Sequence, residues 1–218
     1  MAIVLNVYTP VIRRENLPAI REALDLQRKE TGLEVKWHIV YDMGYSKARD
    51  SGYAYEREAW IYQEDAWITE YEMTLYPRPE PCIGEHVLNP VLFGNGGQKT
   101  GWVMLLSDDN LPVPGMLRAI EGAIAAGATV AVMFPQEARY GFPKGIPADY
   151  RQLKAGGVDF AQVVFNAEEA DGLHFPSGGC ADSLFFRNLW RVHPFRGWVF
   201  LAEPVVYYNK LNPEGTRP

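Results

Sequence analysis

Apolar and polar positions divide this chain into short apolar runs separated by charged or turn-forming stretches. Residues 2–8, Ala2 to Tyr8, form an apolar, β-branched run closed by the turn signal Thr9-Pro10. An apolar run without alternation predicts a strand buried on both faces, as in a parallel sheet. Asn16-Leu17-Pro18 follows, with Asn16 placed to cap a helix and Pro18 in its first turn. Leu17, Ile20, Leu24 and Gln27 recur at helical spacing with charges between them. This predicts an amphipathic helix stopping near Thr31-Gly32, with Gly32 just past its end. A second apolar run, Val35 to Tyr41, stops at Asp42-Met43-Gly44. Strand, helix and strand in such close succession imply a right-handed parallel crossover.

The middle of the chain is less regular. Tyr45 to Thr74 is rich in Tyr, Trp and charge, and its 53–73 part predicts either a helix with an aromatic face or a loop-rich lip. Tyr76 to Pro90 is proline-rich and extended, and Gly94-Asn95-Gly96-Gly97 is a flexible loop. Regular patterning resumes with a strand from Trp102 to Leu106, ended by Ser107-Asp108-Asp109-Asn110. A helix from Met116 to Ala126 ends at Gly127, and Thr129 to Phe134 is a strand. Residues 135–157 read as loop, Asp159 to Asn166 as a strand and Asp182 to Leu189 as a helix. Trp198 to Phe200 and Val205 to Tyr208 read as closing strands. With no internal repeat or low-complexity linker, one α/β domain over 1–218 is the simplest organisation.

Composition narrows the class. The 218 residues are 47% hydrophobic and 22% charged, which is globular rather than disordered. A net charge of −6 lacks the basic field of a duplex-binding protein, so no nucleic-acid partner is expected. Cys82 and Cys180 form neither a CxxC pair nor a zinc spacing. The N-terminus lacks a basic leader and no apolar run reaches the ~18 residues of a membrane span. The expectation is a soluble, cytoplasmic protein with no transmembrane segment. The aromatic 53–73 segment is a candidate interface for a homo-oligomer.

The candidate chemistry lies at the end of the Trp102–Leu106 run. Asp108 and Asp109 follow an apolar strand directly, and in open α/β sheets ligands bind beyond the carboxyl ends of strands. Adjacent carboxylates repel unless a cation lies between them. Mg²⁺ or Mn²⁺ bridges one or two carboxylates to substrate phosphates, so the pair predicts a diphosphate site on an acidic protein. A solvated turn is the competing reading, since Asp and Asn favour turns for local reasons. Other strand ends add polar groups: Tyr8, Thr9 and Pro10 on the first, Asp42 on the second, with Arg13 and Arg14 following the first. Tyr8 is a candidate to flank a base and Asp42 to accept from a ribose or base.

In this order, Val7-Tyr8-Thr9-Pro10, Arg14-Glu15-Asn16-Leu17, Trp37 to Asp42 and Trp102 to Asn110 resemble the nucleotide-binding half of GT-A fold glycosyltransferases. The similarity is to small family two-like members, and the layout is also similar to that of animal glucuronyltransferases. Gly178 to Ser183 and Glu203 to Asn209 resemble the acceptor half. The resemblance implies a GT-A, mostly parallel Rossmann-like sheet, with a nucleotide-binding half over 1–110 and an acceptor half over 111–218. It implies transfer of a sugar from a nucleotide-diphosphate sugar to a hydroxyl acceptor, with Mn²⁺ or Mg²⁺.

The residue roles follow from the same resemblance. Asp109 is the metal carboxylate of the DXD motif, assisted by Asp108, and Ser107 stands where the family often has its first Asp. Tyr8, Thr9, Pro10 and Asp42 frame the nucleotide, Arg14 lies near the phosphates and Asn95 near the sugar or phosphate. His193 is a candidate late metal ligand, as is His174. Asp182 is the candidate general base, with a helix cap as its competing reading. Two alternatives remain: a nucleotide-sugar binding module that has lost turnover, and a nucleotidyltransferase. The second is disfavoured because Thr9 to Asn16 contains arginines but no glycine.

Overall fold

The computed structural model describes residues 2–11, 13–42, 65–73, 89, 92, 100–138, 158–176, 181–208, 210 and 211. Its centre is a seven-stranded sheet of order β3-β2-β1-β4-β8-β6-β9. The strands are β1 (Ile3–Val11), β2 (Leu33–Asp42), β3 (Ile68–Met73), β4 (Trp102–Leu105), β6 (Ala131–Met133), β8 (Val163–Asn166) and β9 (Trp198–Phe200). β1 pairs in parallel with β2 and β4, and β2 with β3, while β8 runs antiparallel to β4 and β6. A second sheet of order β5-β10-β7 joins β5 (Leu111–Pro112), β7 (Gln136–Ala138) and β10 (Val206–Tyr208).

The sheet is buried on both faces, as its non-alternating strands require. Odd-numbered β1 residues Leu5 and Val7 pack with Trp37 and Met104 beneath α1 (Leu17–Arg28) and α2 (Met116–Ala125). Even-numbered Tyr8 packs on the other face with Val103, Leu105, Phe165 and α3 (Ala181–Val192). A two-residue period thus assigns each side chain to one of two helical layers.

Several expectations change. β1 runs on through Thr9-Pro10 to Val11 instead of turning there. Pro10 is tolerated because the β4 pairing stops at Tyr8↔Leu105, leaving that side of β1 an edge. Gly32 is not in the left-handed conformation expected after a helix, and its N–H donates to Glu121 Oε1 at 2.8 Å. Gly127, at φ +110, does take that conformation after α2. Residues 68–73 form a strand, not part of an aromatic helix, because Ile-Thr-Glu-Tyr-Glu-Met alternates at strand period against β2. The 53–64 remainder and Asn95 lie outside the described residues. Asp159 does not begin a strand: it caps a 3-10 turn, Phe160–Gln162, that precedes β8.

Candidate functional site

The carboxyl ends of the parallel strands share one edge of the sheet, and the acid pair sits there. β4 ends at Leu105, the Leu106 N–H donates to the Tyr8 carbonyl at 2.8 Å, and the chain turns through Ser107-Asp108-Asp109-Asn110. The turn closes with the Asn110 N–H on the Ser107 carbonyl at 3.1 Å. The loop after β1 meets this turn. Arg13 donates its backbone N–H to Asp108 Oδ2 at 2.5 Å and its Nη1 to Oδ1 at 3.1 Å. Asn16, expected to cap α1, makes no cap bond and donates its side-chain amide to the Asp108 carbonyl at 2.9 Å.

The two carboxylates therefore do different things. The Asp108 side chain is 4% exposed and is held by both Arg13 groups. Asp109, 17% exposed, lies 3.6 Å from the same guanidinium. Burial pushes the Asp109 carboxyl above the usual carboxylate range; Arg13 opposes this, and the negative charge of Asp159 adds to it. Asp159 is thus a third acid at this edge. Its Oδ1 accepts the Ala161 N–H at 3.0 Å, and its own N–H donates to Gln162 Oε1 at 2.9 Å. The C-terminal segment closes on the turn, with the Leu211 N–H donating to the Asp109 carbonyl at 2.9 Å.

Asp182 reaches the same edge by a different route. It lies in the first turn of α3, where its Oδ1 accepts the Ser183 N–H at 2.7 Å. Buried Ser183 ties that turn to Val158, donating from Oγ to its carbonyl at 3.0 Å and accepting its N–H at 3.2 Å. Val158 precedes Asp159, so the start of α3 is anchored beside the third acid.

The remaining predicted residues divide. Arg14 places its guanidinium 5.4 Å from the centre of the Tyr41 ring, and Asp42 ends β2 opposite Met73, so both belong to this edge. Ser107 is half-buried in the turn and Pro10 is buried. Tyr8 and Thr9 turn inward. Thr9 Oγ1 accepts from Trp37 Nε1 at 2.9 Å. Tyr8 stacks on His38 at 4.3 Å and 11°, and burial pushes its phenol up. The Tyr8 ring is therefore a core side chain and not a free platform for a base. His38 is itself buried: burial, with Lys36 adding, lowers it to about 4.

His193 is the clearest departure. β8 is antiparallel to β4, so Asn166 lies opposite Trp102 at the amino end of β4. Glu169 follows Asn166 there, and its carbonyl accepts from His193 Nε2 at 2.8 Å, with its Oε2 3.4 Å from Nδ1. That is the opposite edge of the sheet from Asp109, at the far end of α3, so His193 does not join the acid pair.

The resemblance implies a divalent ion at this edge. Among the described residues, no group of three or more His, Cys, Asp or Glu side chains could hold a metal ion. Asp108 is committed to Arg13, while Asp109 is partly open, and the charge of Asp159 raises its carboxyl further. This donor set fits Mn²⁺ or Mg²⁺ bound through one protein carboxylate with ligand phosphates and water, not an all-protein cage.

Arg13 and Asp159 are the site residues that sequence reasoning did not select. Arg13 was visible as half of a basic pair after β1. Asp159-x-x-Gln162 carries a capping-box spacing that would have revealed the 3-10 turn.

The strand order and the reversed β8 define the GT-A class of fold, and solved structures of that class match the chain. Staphylococcus aureus TarS 1–349 in complex with UDP-GlcNAc matches with a TM-score of 0.61 at 13% identity, over 94% of this chain and 58% of that one. Glucosyl-3-phosphoglycerate synthase from Mycobacterium tuberculosis, in complex with Mn²⁺, UDP and phosphoglyceric acid, matches with a TM-score of 0.56 at 14% identity, over 99% and 72%. This chain thus spans less than two thirds of the TarS fragment. No family model and no curated protein matches it.

Proposed function

We propose that this protein is a glycosyltransferase that moves a sugar from a nucleotide-diphosphate sugar to a hydroxyl acceptor at the carboxyl edge of its sheet. The observation that carries the reading is the unequal acid pair beyond β4. Asp108 is neutralised within the fold by Arg13, whereas Asp109 is left under-compensated and partly open. A carboxylate in that condition favours a cation, and a cation there favours a diphosphate. The neighbours solved with UDP-GlcNAc and with UDP and Mn²⁺ support the same ligand class.

In this reading Asp109 holds Mn²⁺ or Mg²⁺ together with the donor diphosphate. A divalent ion so held supplies counter-charge to the departing nucleoside diphosphate. Arg13 fixes the turn that presents Asp109. Arg14 and Asp42, on the same edge, serve the phosphates and the nucleoside. Asp182 takes the acceptor proton as the hydroxyl oxygen bonds the anomeric carbon and the bond to the diphosphate breaks. Its hydrogen bond from the Ser183 N–H orients the carboxylate.

The test is a donor screen with UDP- and GDP-sugars, following nucleoside diphosphate release with Mn²⁺ and with chelator. Turnover is expected with metal only. Asp182→Asn is expected to lower kcat by ~10²–10⁴ while nucleotide binding persists. Full turnover in Asp182→Asn overturns its role as base.

A further inference from the structure

Arg13 stands between the two aspartates, and its charge reaches both of them. Its Nη1 lies 3.1 Å from Asp108 Oδ1 and 3.6 Å from Asp109 Oδ2. The loop that carries it is tied down. The Arg13 backbone N–H donates to Asp108 Oδ2 at 2.5 Å, Asn16 donates to the Asp108 carbonyl at 2.9 Å, and the Arg13 side chain is 14% exposed. Asp109 feels the guanidinium strongly: after burial, Arg13 is the largest influence on its carboxyl, ahead of the opposing charge of Asp159.

A cation fixed beside a carboxylate competes with any second cation for it. A divalent ion at Asp109 meets the guanidinium as a like charge at close range. Asp109 also has little help, since among the described residues no group of three or more His, Cys, Asp or Glu side chains could hold a metal ion. One carboxylate shared with an arginine is a poor site for hydrated Mn²⁺ or Mg²⁺. A nucleoside diphosphate reverses the balance. Its oxygens bring negative charge and further ligands, which a metal ion and a guanidinium can share.

We propose that Arg13 is a positioning residue that makes metal binding conditional on the nucleotide. It suppresses the affinity of Asp109 for a divalent cation alone and permits binding once a nucleoside diphosphate is present. The inference rests on the glycosyl-transfer reading of the acid pair and adds an order to it. Metal and donor load together, and because coupling is reciprocal the metal leaves with the nucleoside diphosphate. An arginine that only braced the turn through Asp108 would produce no such coupling.

The test is titration of Mn²⁺ into the protein, read as loss of the free-ion signal in electron paramagnetic resonance. It is run alone and with UDP or GDP, and corrected for Mn²⁺ held by nucleotide without protein. Wild type is expected to bind Mn²⁺ roughly ten-fold more tightly, or better, with one of the two nucleotides. Arg13→Gln is expected to bind Mn²⁺ alone roughly ten-fold more tightly than wild type, because the competing charge is gone. Arg13→Lys keeps the charge but loses the planar fork, and is expected to bind Mn²⁺ alone as wild type does. Arg13→Gln strands the buried Asp108 carboxylate, so a second comparison sets Asp108→Asn against Asp108→Asn combined with Arg13→Gln. The double variant is expected to bind Mn²⁺ alone roughly ten-fold more tightly than the single one. Circular dichroism confirms folding of each variant. Failure of either comparison between folded proteins, or equal effects of Gln and Lys, overturns the inference even where nucleotide-dependent Mn²⁺ binding persists. Loss of nucleotide-dependent Mn²⁺ binding in wild type and all variants alike overturns the reading of the site itself, and the inference with it.

Discussion

At the residue scale, two adjacent aspartates of identical chemistry receive different work from their surroundings. Asp108 is enclosed by the Arg13 backbone and guanidinium, so its charge is spent inside the fold. Removing one partner of a buried ion pair strands the other, at roughly 3–5 kcal/mol. Asp108→Asn is expected to lower unfolding free energy in urea by about 3 kcal/mol; a change under ~0.5 kcal/mol would show the pair to be ornamental. His38 makes the same kind of statement about pH. The Asn6 amide nitrogen donates to the Trp102 carbonyl, so its Oδ1 accepts from His38 Nε2–H at 3.1 Å, leaving Nδ1 to accept from the Tyr71 hydroxyl at 3.2 Å. Both ring nitrogens are satisfied by the neutral form. With His38 held down at about 4 against 6.5 unfolded, the unfolded chain binds the extra proton between those values. Stability is therefore expected to fall as pH drops from 6.5 to 4, by about 3 kcal/mol, and to lose no more from this group below pH 4. Urea titrations of wild type and His38→Gln across that range measure it. Equal pH dependence in the two proteins would contradict the assignment.

At the element scale, the strands and helices were legible where burial is two-sided or amphipathic. β1, β2, β4, α1 and α2 followed from apolar runs and three-to-four spacing, because nothing tertiary overrides such patterns. The errors sit where a local signal was claimed by a tertiary partner. Asn16 carries a cap residue's chemistry but spends its amide on the Asp108 carbonyl. Thr9-Pro10 reads as a turn, yet β2 keeps pairing past it. The aromatic content of 68–73 hid a two-residue period. The acid pair was legible from its position after β4, and the resemblance singled out Asp109; that Asp108 is enclosed was not legible, because Arg13 decides that from 95 residues away in sequence. The same lesson applies to Gly197, at φ +75, whose carbonyl accepts the N–H groups of Thr129, Val130 and Ala131 at the start of β6. A Cβ there would meet Thr129 Oγ1 at 2.2 Å and Val130 Cγ2 at 2.9 Å. Gly197→Ala is expected to cost at least ~1–2 kcal/mol, from the left-handed backbone before the clash is counted. An unchanged melting temperature would contradict that register.

At the scale of the whole molecule, the sheet separates two surfaces. Its carboxyl edge collects Arg13, Arg14, Asp42, Asp108, Asp109, Asp159 and the start of α3. Its amino edge collects Glu169, His193 and the exposed ring of Phe195. The antiparallel course of β8 links the two, carrying the chain from Asp159 at one edge to Glu169 at the other. His193 illustrates why a late histidine could not be assigned from sequence: the direction of β8 decides which edge it meets. The account's central claim is that Asp109 binds a nucleoside diphosphate through a divalent ion. Isothermal titration calorimetry of UDP and GDP into the wild type and Asp109→Asn, each with Mn²⁺ and with chelator, tests it most directly. Heat of binding for one of the two nucleotides in wild type with Mn²⁺ alone is the expected result. Equal binding with chelator, or in Asp109→Asn, would contradict it.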